Sequence, residues 1–145
     1  MFRRNFLKNS IIGSLSASTI MSLTYKNNPI VKSVPRIIST WKHGINANKI
    51  AWKKLNNGEG GLTAVEYGVR DSENDPNERS VGYGGLPDRE GKVTLDACIM
   101  DSNNDCGSVS FLENIKNPIS VARLVMEKTP HIMLSGKGAY DFAIE

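Results

Sequence analysis

Two alternating runs around a short polar turn constrain this chain more than any other feature. Val93 to Met100 alternates apolar with polar residues, Asp101 to Asp105 is a polar turn, and Cys106 to Leu112 alternates again. A period of two interrupted by such a turn reads as an antiparallel hairpin, with one face of each strand turned to a core. A five-residue loop sets the register, so that Met100 faces Cys106 and Cys98 faces Ser108. Cys98 and Cys106, the only two cysteines, then become diagonal neighbours. Diagonal positions lie about 7–8 Å apart, beyond the roughly 4.4–6.8 Å between the Cα atoms of a disulfide. Both thiols are therefore expected to be free and partly buried.

Helical spacing frames the hairpin on both sides. Ala47, Ile50, Ala51, Trp52 and Leu55 give an apolar stripe to a helix over about Ile45 to Asn57, and Gly58 is a stop signal. Leu62, Val65 and Val69 repeat the spacing in a second, shorter helix. The polar stretch Asp71 to Arg79, with Asp75-Pro76 inside it, reads as a loop. Asn117-Pro118 is an N-cap followed by proline at the first helical position, and Ile119, Ala122, Val125 and Met126 make the apolar face behind it. Arg36 to Thr40 is a β-favouring run, His131 to Leu134 a further strand, and Ala139 to Glu145 the start of another helix. The expected fold class is α+β, helices layered on an antiparallel sheet. A helix of about seven residues is marginal alone, and no stop signal closes this one, so the sequence reads as a fragment.

Charge is distributed unevenly. The 145 residues carry a net +3, yet no Asp or Glu precedes Glu59, while residues 1–58 hold ten Lys and Arg. Residues 59–145 hold eight basic and fifteen acidic residues, a net −7. A nucleic-acid binder keeps its positive charge on the folded body, so no nucleic-acid partner is expected. An apolar fraction of 39% with 23% charged residues excludes collagen, coiled coil and a disordered tail. No apolar run reaches the ~18 residues of a membrane span.

The front of the chain reads as an address. Phe2-Arg3-Arg4-Asn5-Phe6-Leu7-Lys8 precedes a mildly apolar stretch from Ile11 to Leu23. A positive region followed by a short apolar one is a bacterial export signal, and paired arginines before Phe-Leu-Lys resemble the twin-arginine class. Phe2 stands where Ser or Thr is usual, and an amphipathic first helix is the competing reading. The expected organisation is therefore an export signal and polar spacer over residues 1–35 and a single domain over 36–145, exported to the periplasm or beyond.

Chemistry read from single motifs names no catalyst. Gly82-Tyr83-Gly84-Gly85 lacks the spacing of a phosphate cradle and reads as a turn needing positive φ. His43 and His131 have no second ligand at metal spacing, so no metal site is expected. Asp88, Glu90, Asp96 and Asp101 read mostly as turn residues.

Longer motifs, in one order, carry a resemblance. Ser39-Thr40-Trp41, Gly44, Ala47-Asn48 and Ala51-Trp52 are followed by Ala64-Val65-Glu66, Gly68 and Asp75-Pro76. Then come Ser80-Val81-Gly82-Tyr83-Gly84-Gly85, Pro87-Asp88, Val93-Thr94-Leu95-Asp96-Ala97, Ile99-Met100-Asp101 and Gly107-Ser108-Val109. Ile115-Lys116-Asn117-Pro118-Ile119-Ser120-Val121-Ala122-Arg123, Met126-Glu127-Lys128-Thr129-Pro130-His131 and Gly138-Ala139 complete the series. Over residues 38–145 the chain resembles the α-chain portion of the glycosylasparaginases, also called aspartylglucosaminidases.

The resemblance implies an N-terminal nucleophile hydrolase with an αββα sandwich, incomplete in this chain. It implies a precursor that cuts itself into α and β chains and frees a threonine whose own amino group serves as base. The implied reaction is hydrolysis of the amide between N-acetylglucosamine and asparagine, without cofactor; some relatives act on free asparagine or isoaspartyl peptides. A non-catalytic fragment is the rival outside the enzyme class. The implied partners are the β chain of the same precursor and, beyond it, a dimer of αβ units. The nucleophile is expected beyond Glu145, since Thr129 does not match the cleavage motif; Thr63 stands where relatives commonly carry Asp, a local helix variation with no functional meaning. Two residues match family positions. Trp41 matches the tryptophan lining the substrate funnel, with a core tryptophan as the plainer reading. Ser80 matches the serine near the nucleophile, with a turn serine as the plainer reading.

Overall fold

A computed structural model describes residues 34–145 of the chain. The chain divides into two units, Met1–Pro35 and Arg36–Glu145. The expected export signal and most of the spacer lie outside the described residues, and the account below concerns the second unit.

Helix α1 spans Gly44–Asn56 and stops where Gly58, at φ +80°, turns its N–H back to the carbonyl of Leu55. Lys53 and Lys54 fall in its last turn, where the helix dipole favours positive charge. Helix α2 spans Gly61–Asn74 and so overruns the loop expected from Asp71. Local propensity at Asp71-Ser72-Glu73-Asn74 is poor, but Ser72 and Glu73 are buried and hydrogen-bonded to other elements, and this tertiary bonding overrides propensity. The helix ends at Asp75, extended as a residue before proline must be.

After a single 3₁₀ turn, Gly82–Gly84, come β1 (Leu95–Met100), β2 (Cys106–Leu112), α3 (Pro118–Lys128), β3 (Met133–Ser135) and α4 (Gly136–Ile144). The sheet order is β1-β2-β3. Strands β1 and β2 pair antiparallel with Met100 opposite Cys106 and Cys98 opposite Ser108, the register the turn length dictates. Both cysteines are free; Cys98 is exposed rather than partly buried, because its strand face has nothing over it among the described residues. Strand β3 runs parallel to β2, so the sheet is mixed and not the antiparallel one expected. The connection explains this: α3 carries the chain back across the sheet, as parallel neighbours require. Arg36 to Thr40 forms no strand, since β1 has β2 as its neighbour and no described segment pairs along its other edge.

One residue is extra in β2. Leu95 pairs with Leu112 but Ala97 with Val109, and Phe111 sits at φ +52° with its N–H on Asp96 Oδ1 at 2.8 Å. This bulge puts Val109 and Leu112 on the same buried side and turns Phe111 outward. Ile99, Val109 and Leu112 form the core with Ile119, Val121, Ala122 and Val125 of α3 and Ala139 of α4. The helices cover one face of the sheet. On the other, Asp96, Cys98, Met100 and Met133 are exposed. No helix among the described residues is long and apolar enough to cross a membrane.

Two measurements check this packing. A Cβ on Gly107 would lie 2.2 Å from the Ala122 carbonyl oxygen and 2.5 Å from the Met126 nitrogen, both main chain. Gly107→Ala must therefore push α3 off β2, and urea unfolding should show a loss of about 1–3 kcal/mol. Alkylation without reductant should label both Cys98 and Cys106; an unlabelled species lighter by two protons would contradict the register.

Candidate functional site

The Ser80 turn, the end of α2 and the first turn of α3 meet at the outer edge of β1. Between them is a cleft of about 290 Å³, lined by Val69 and Glu73 of α2, Ser80 to Gly82, Thr94 to Cys98, and Pro118 and Ile119. Ser80 is exposed, and its hydroxyl and backbone N–H both donate to Glu78 Oε1, the latter at 3.0 Å. These bonds from Ser80 hold the Glu78 carboxyl below the ordinary range, with a weaker coulombic pull from His43. With its proton committed to Glu78, Ser80 Oγ presents lone pairs, and so acts as an acceptor toward anything that enters.

Glu73 forms the inner wall. It is 2% exposed, and its Oε1 accepts the N–H of Ile119 at 3.0 Å while Oε2 accepts from Asn117 Nδ2 at 3.2 Å. Asn117 thus occupies the N-cap position expected of it, but its side chain makes no cap bond to its own helix. Glu73, reaching across from α2, caps the helix instead. Burial pushes the Glu73 carboxyl up to about 7 from 4.5, and the bonds from Ile119 and Asn117 and the charge of Arg70 offset only part of that.

Trp41 lies elsewhere. It is 71% exposed in the lead-in to α1 and does not line this cleft, so it is not a core tryptophan at a strand end. Its segment is tied to the same helix end, however: His43, two residues on, shares a 2.8 Å hydrogen bond with Ser72 Oγ beside Glu73. The structure therefore joins the Trp41 segment and the Ser80 turn through the C-terminal turn of α2, without bringing the two side chains into one cleft.

Other candidates serve the backbone. Asp88 accepts from the N–H groups of Glu90 and Lys92, Asp101 from those of Asn103 and Asp105, and Asp96 closes the bulge. Among the described residues no three or more His, Cys, Asp or Glu gather as a metal site. Sequence reasoning missed Ser72, Glu73 and Glu78 because it placed them in a loop. A signal was present: Glu66, Val69 and Glu73 fall on one helical stripe once α2 is continued past Asp71.

Comparison with known proteins settles the kinship. The family described as asparaginase matches residues 27–145. The chain belongs to that family. It is 56% identical over 98% of its length to the N(4)-(β-N-acetylglucosaminyl)-L-asparaginase of Elizabethkingia miricola. It is 41% identical over 87% of its length to the mouse protein of that name, and 42% identical over 80% to the rat one. It spans 43%, 37% and 34% of those proteins, less than half of each. The glycosylasparaginase resemblance carried by the sequence motifs is thus met by relatives bearing that name.

Burial of Glu73 predicts a pH dependence. The folded chain favours its protonated form, so the stability this group contributes is fully present below about pH 4.5 and is lost as pH rises through about 7. Glu73→Gln removes that titration. Between pH 4.5 and 8 the wild type should lose ~3 kcal/mol relative to Glu73→Gln in denaturant unfolding, and parallel curves would contradict the assignment.

Proposed function

We propose that this chain is the α-chain portion of a self-cleaving amidohydrolase that splits the amide between N-acetylglucosamine and asparagine in glycoasparagines. The observation that carries the reading is the 56% identity, over nearly the whole chain, to a protein named for that reaction. The fold supports it: helices cover one face of the sheet and nothing among the described residues covers the other, which a second sheet in an αββα sandwich would do. In this reading the β chain supplies that sheet and the nucleophilic threonine, which lies in the part of the relatives this chain does not span. Two αβ units pair, and the front segment exports the precursor to the periplasm by the twin-arginine route.

The roles of this chain's residues follow from their chemistry. The threonine's amino group takes the proton of its own hydroxyl, so the attacking oxygen needs orientation more than a further base. Ser80 Oγ, its proton held by Glu78, accepts an N–H of the threonine's neutral amino group and so holds that base beside the hydroxyl it deprotonates. Trp41 presents a rigid aromatic wall on which the sugar's apolar ring edge packs. Attack on the amide carbon forms an aspartyl ester on the threonine and expels the glycosylamine; water then releases aspartate.

The test is to express the full-length protein that carries this chain and assay it on a glycoasparagine, on free asparagine and on an isoaspartyl dipeptide. Release of aspartate and glycosylamine with the highest kcat/KM on the glycoasparagine is the expected outcome. A preference for either of the others moves the protein to the asparaginase or isoaspartyl branch. Trp41→Ala should raise KM for the glycoasparagine with little change in kcat, because the wall binds ground and transition states alike. The 145-residue chain alone should turn over none of the three.

A further inference from the structure

Glu73 is an expensive residue where it stands. It is almost wholly buried, and among the described residues no Lys or Arg lies within ion-pair distance of it. It is the penultimate residue of α2, where the helix dipole disfavours a negative charge. An apolar side chain would fill the space without the desolvation cost. What the carboxyl holds therefore has to account for it.

It holds a three-way junction. Its oxygens bind the Ile119 N–H and the Asn117 amide, clamping the last turn of α2 to the first turn of α3. On the opposite side its main chain is a seat: a Cβ on Gly82 would lie 2.3 Å from Glu73 Cα and from its carbonyl oxygen. Gly82 sits there at φ +58°, with no side chain to cushion a shift. Ser80 is two residues away. A terminal helical turn frays unless something pins it, and any movement of the Glu73 main chain passes directly to Gly82 and on to Ser80.

We propose that Glu73 is the positioning residue for Ser80, clamping α2 to α3 so that the Ser80–Gly82 turn rests on a fixed surface beside β1. The inference rests on the reading that Ser80 orients the nucleophile of a glycoasparagine hydrolase. Glu73 touches no reacting group; it acts through the turn.

The test uses Glu73→Gln, which keeps the volume and one acceptor but places an NH₂ group against the Asn117 amide. Glu73→Gln, Ser80→Ala and the double variant are made in the full-length protein. Hydrogen exchange should quicken at the amides of Val81 to Gly85 and stay unchanged in β1 and β2. In glycoasparagine hydrolysis kcat should fall on the order of ten- to a hundredfold, as a misplacement of the order of 1 Å produces, with KM nearly constant. Added to Ser80→Ala, Glu73→Gln should lower kcat no further. Three results would each overturn the proposal: unchanged exchange in the turn, equal loosening of the hairpin, or a kcat that is unaffected or falls additively with Ser80→Ala. Quickened exchange in Glu73→Gln, with a wild type itself inactive on glycoasparagine, would instead sink the functional reading and leave the clamp standing. Should Glu73→Gln fail to accumulate, Asn117→Ala removes one arm of the clamp from the other side and is read the same way.

Discussion

Backbone meets backbone where α3 lies on β2, and the remaining packing is built from that contact. Gly107 leaves no room for even a methyl group against the Ala122 carbonyl. Contact this close lets Val109, Leu112, Ala122 and Val125 bury almost completely. From α3 the order spreads to α2 through two carboxylates. Glu66 accepts from Arg123 and from Ser120, at 2.8 and 2.6 Å, and Glu73 caps the first turn of α3. From α2 it spreads again, through Gly82 to the Ser80 turn and through Ser72 to His43 and the Trp41 segment. The two residues that resemble family site positions are thus both hung from one helix end, which is itself hung from α3.

The two acidic ties differ in kind. Glu66 is opposed by a guanidinium that also bonds Glu127, so its charge is compensated within a small network. Glu73 touches only dipoles, a backbone N–H, an amide and the positive end of α3, while Arg70 acts on it from beyond ion-pair distance. Burial raises the Glu73 carboxyl to about 7, and the bonds it accepts offset only part of that. A group in this state stabilises the fold in acid and strains it in base. Retaining a carboxyl there makes sense if the geometry it imposes matters more than the stability it costs.

How much of this was legible depended on whether the cause was local. The hairpin and its register were, because alternation and turn length are properties of contiguous residues. The bulge was not: it depends on Asp96 reaching the Phe111 N–H across the strand pair, and nothing near Phe111 announces it. The end of α2 was misread because Asp71 to Asn74 has loop-like composition, and only contacts with His43, Asn117 and Ile119 keep it helical. Arg36 to Thr40 failed the other way, with β-favouring residues and no neighbour to pair with. Ser80 and Trp41 came from motif resemblance, while Glu73, the residue that organises the cleft, had no motif of its own.

The face of the sheet left uncovered among the described residues bears on the sandwich proposed above. All-parallel sheets are covered on both faces and antiparallel ones can leave one to water; this sheet is mixed, so the exposed face itself is what decides. Here the pleat puts Cys98, Met100 and Met133 on the face opposite α3, along with Asp96, Ser108 and Ser110. Ser110 and Ser135 bond each other across β2 and β3 at 2.9 Å, which satisfies their hydroxyls within the sheet. A face meant only for solvent has no need to spend side-chain bonds on itself or to carry thioethers. A second layer laid on the sheet would bury the sulfur-bearing side chains and find those two hydroxyls already paired. The sandwich proposed above therefore asks for nothing that this face does not already offer.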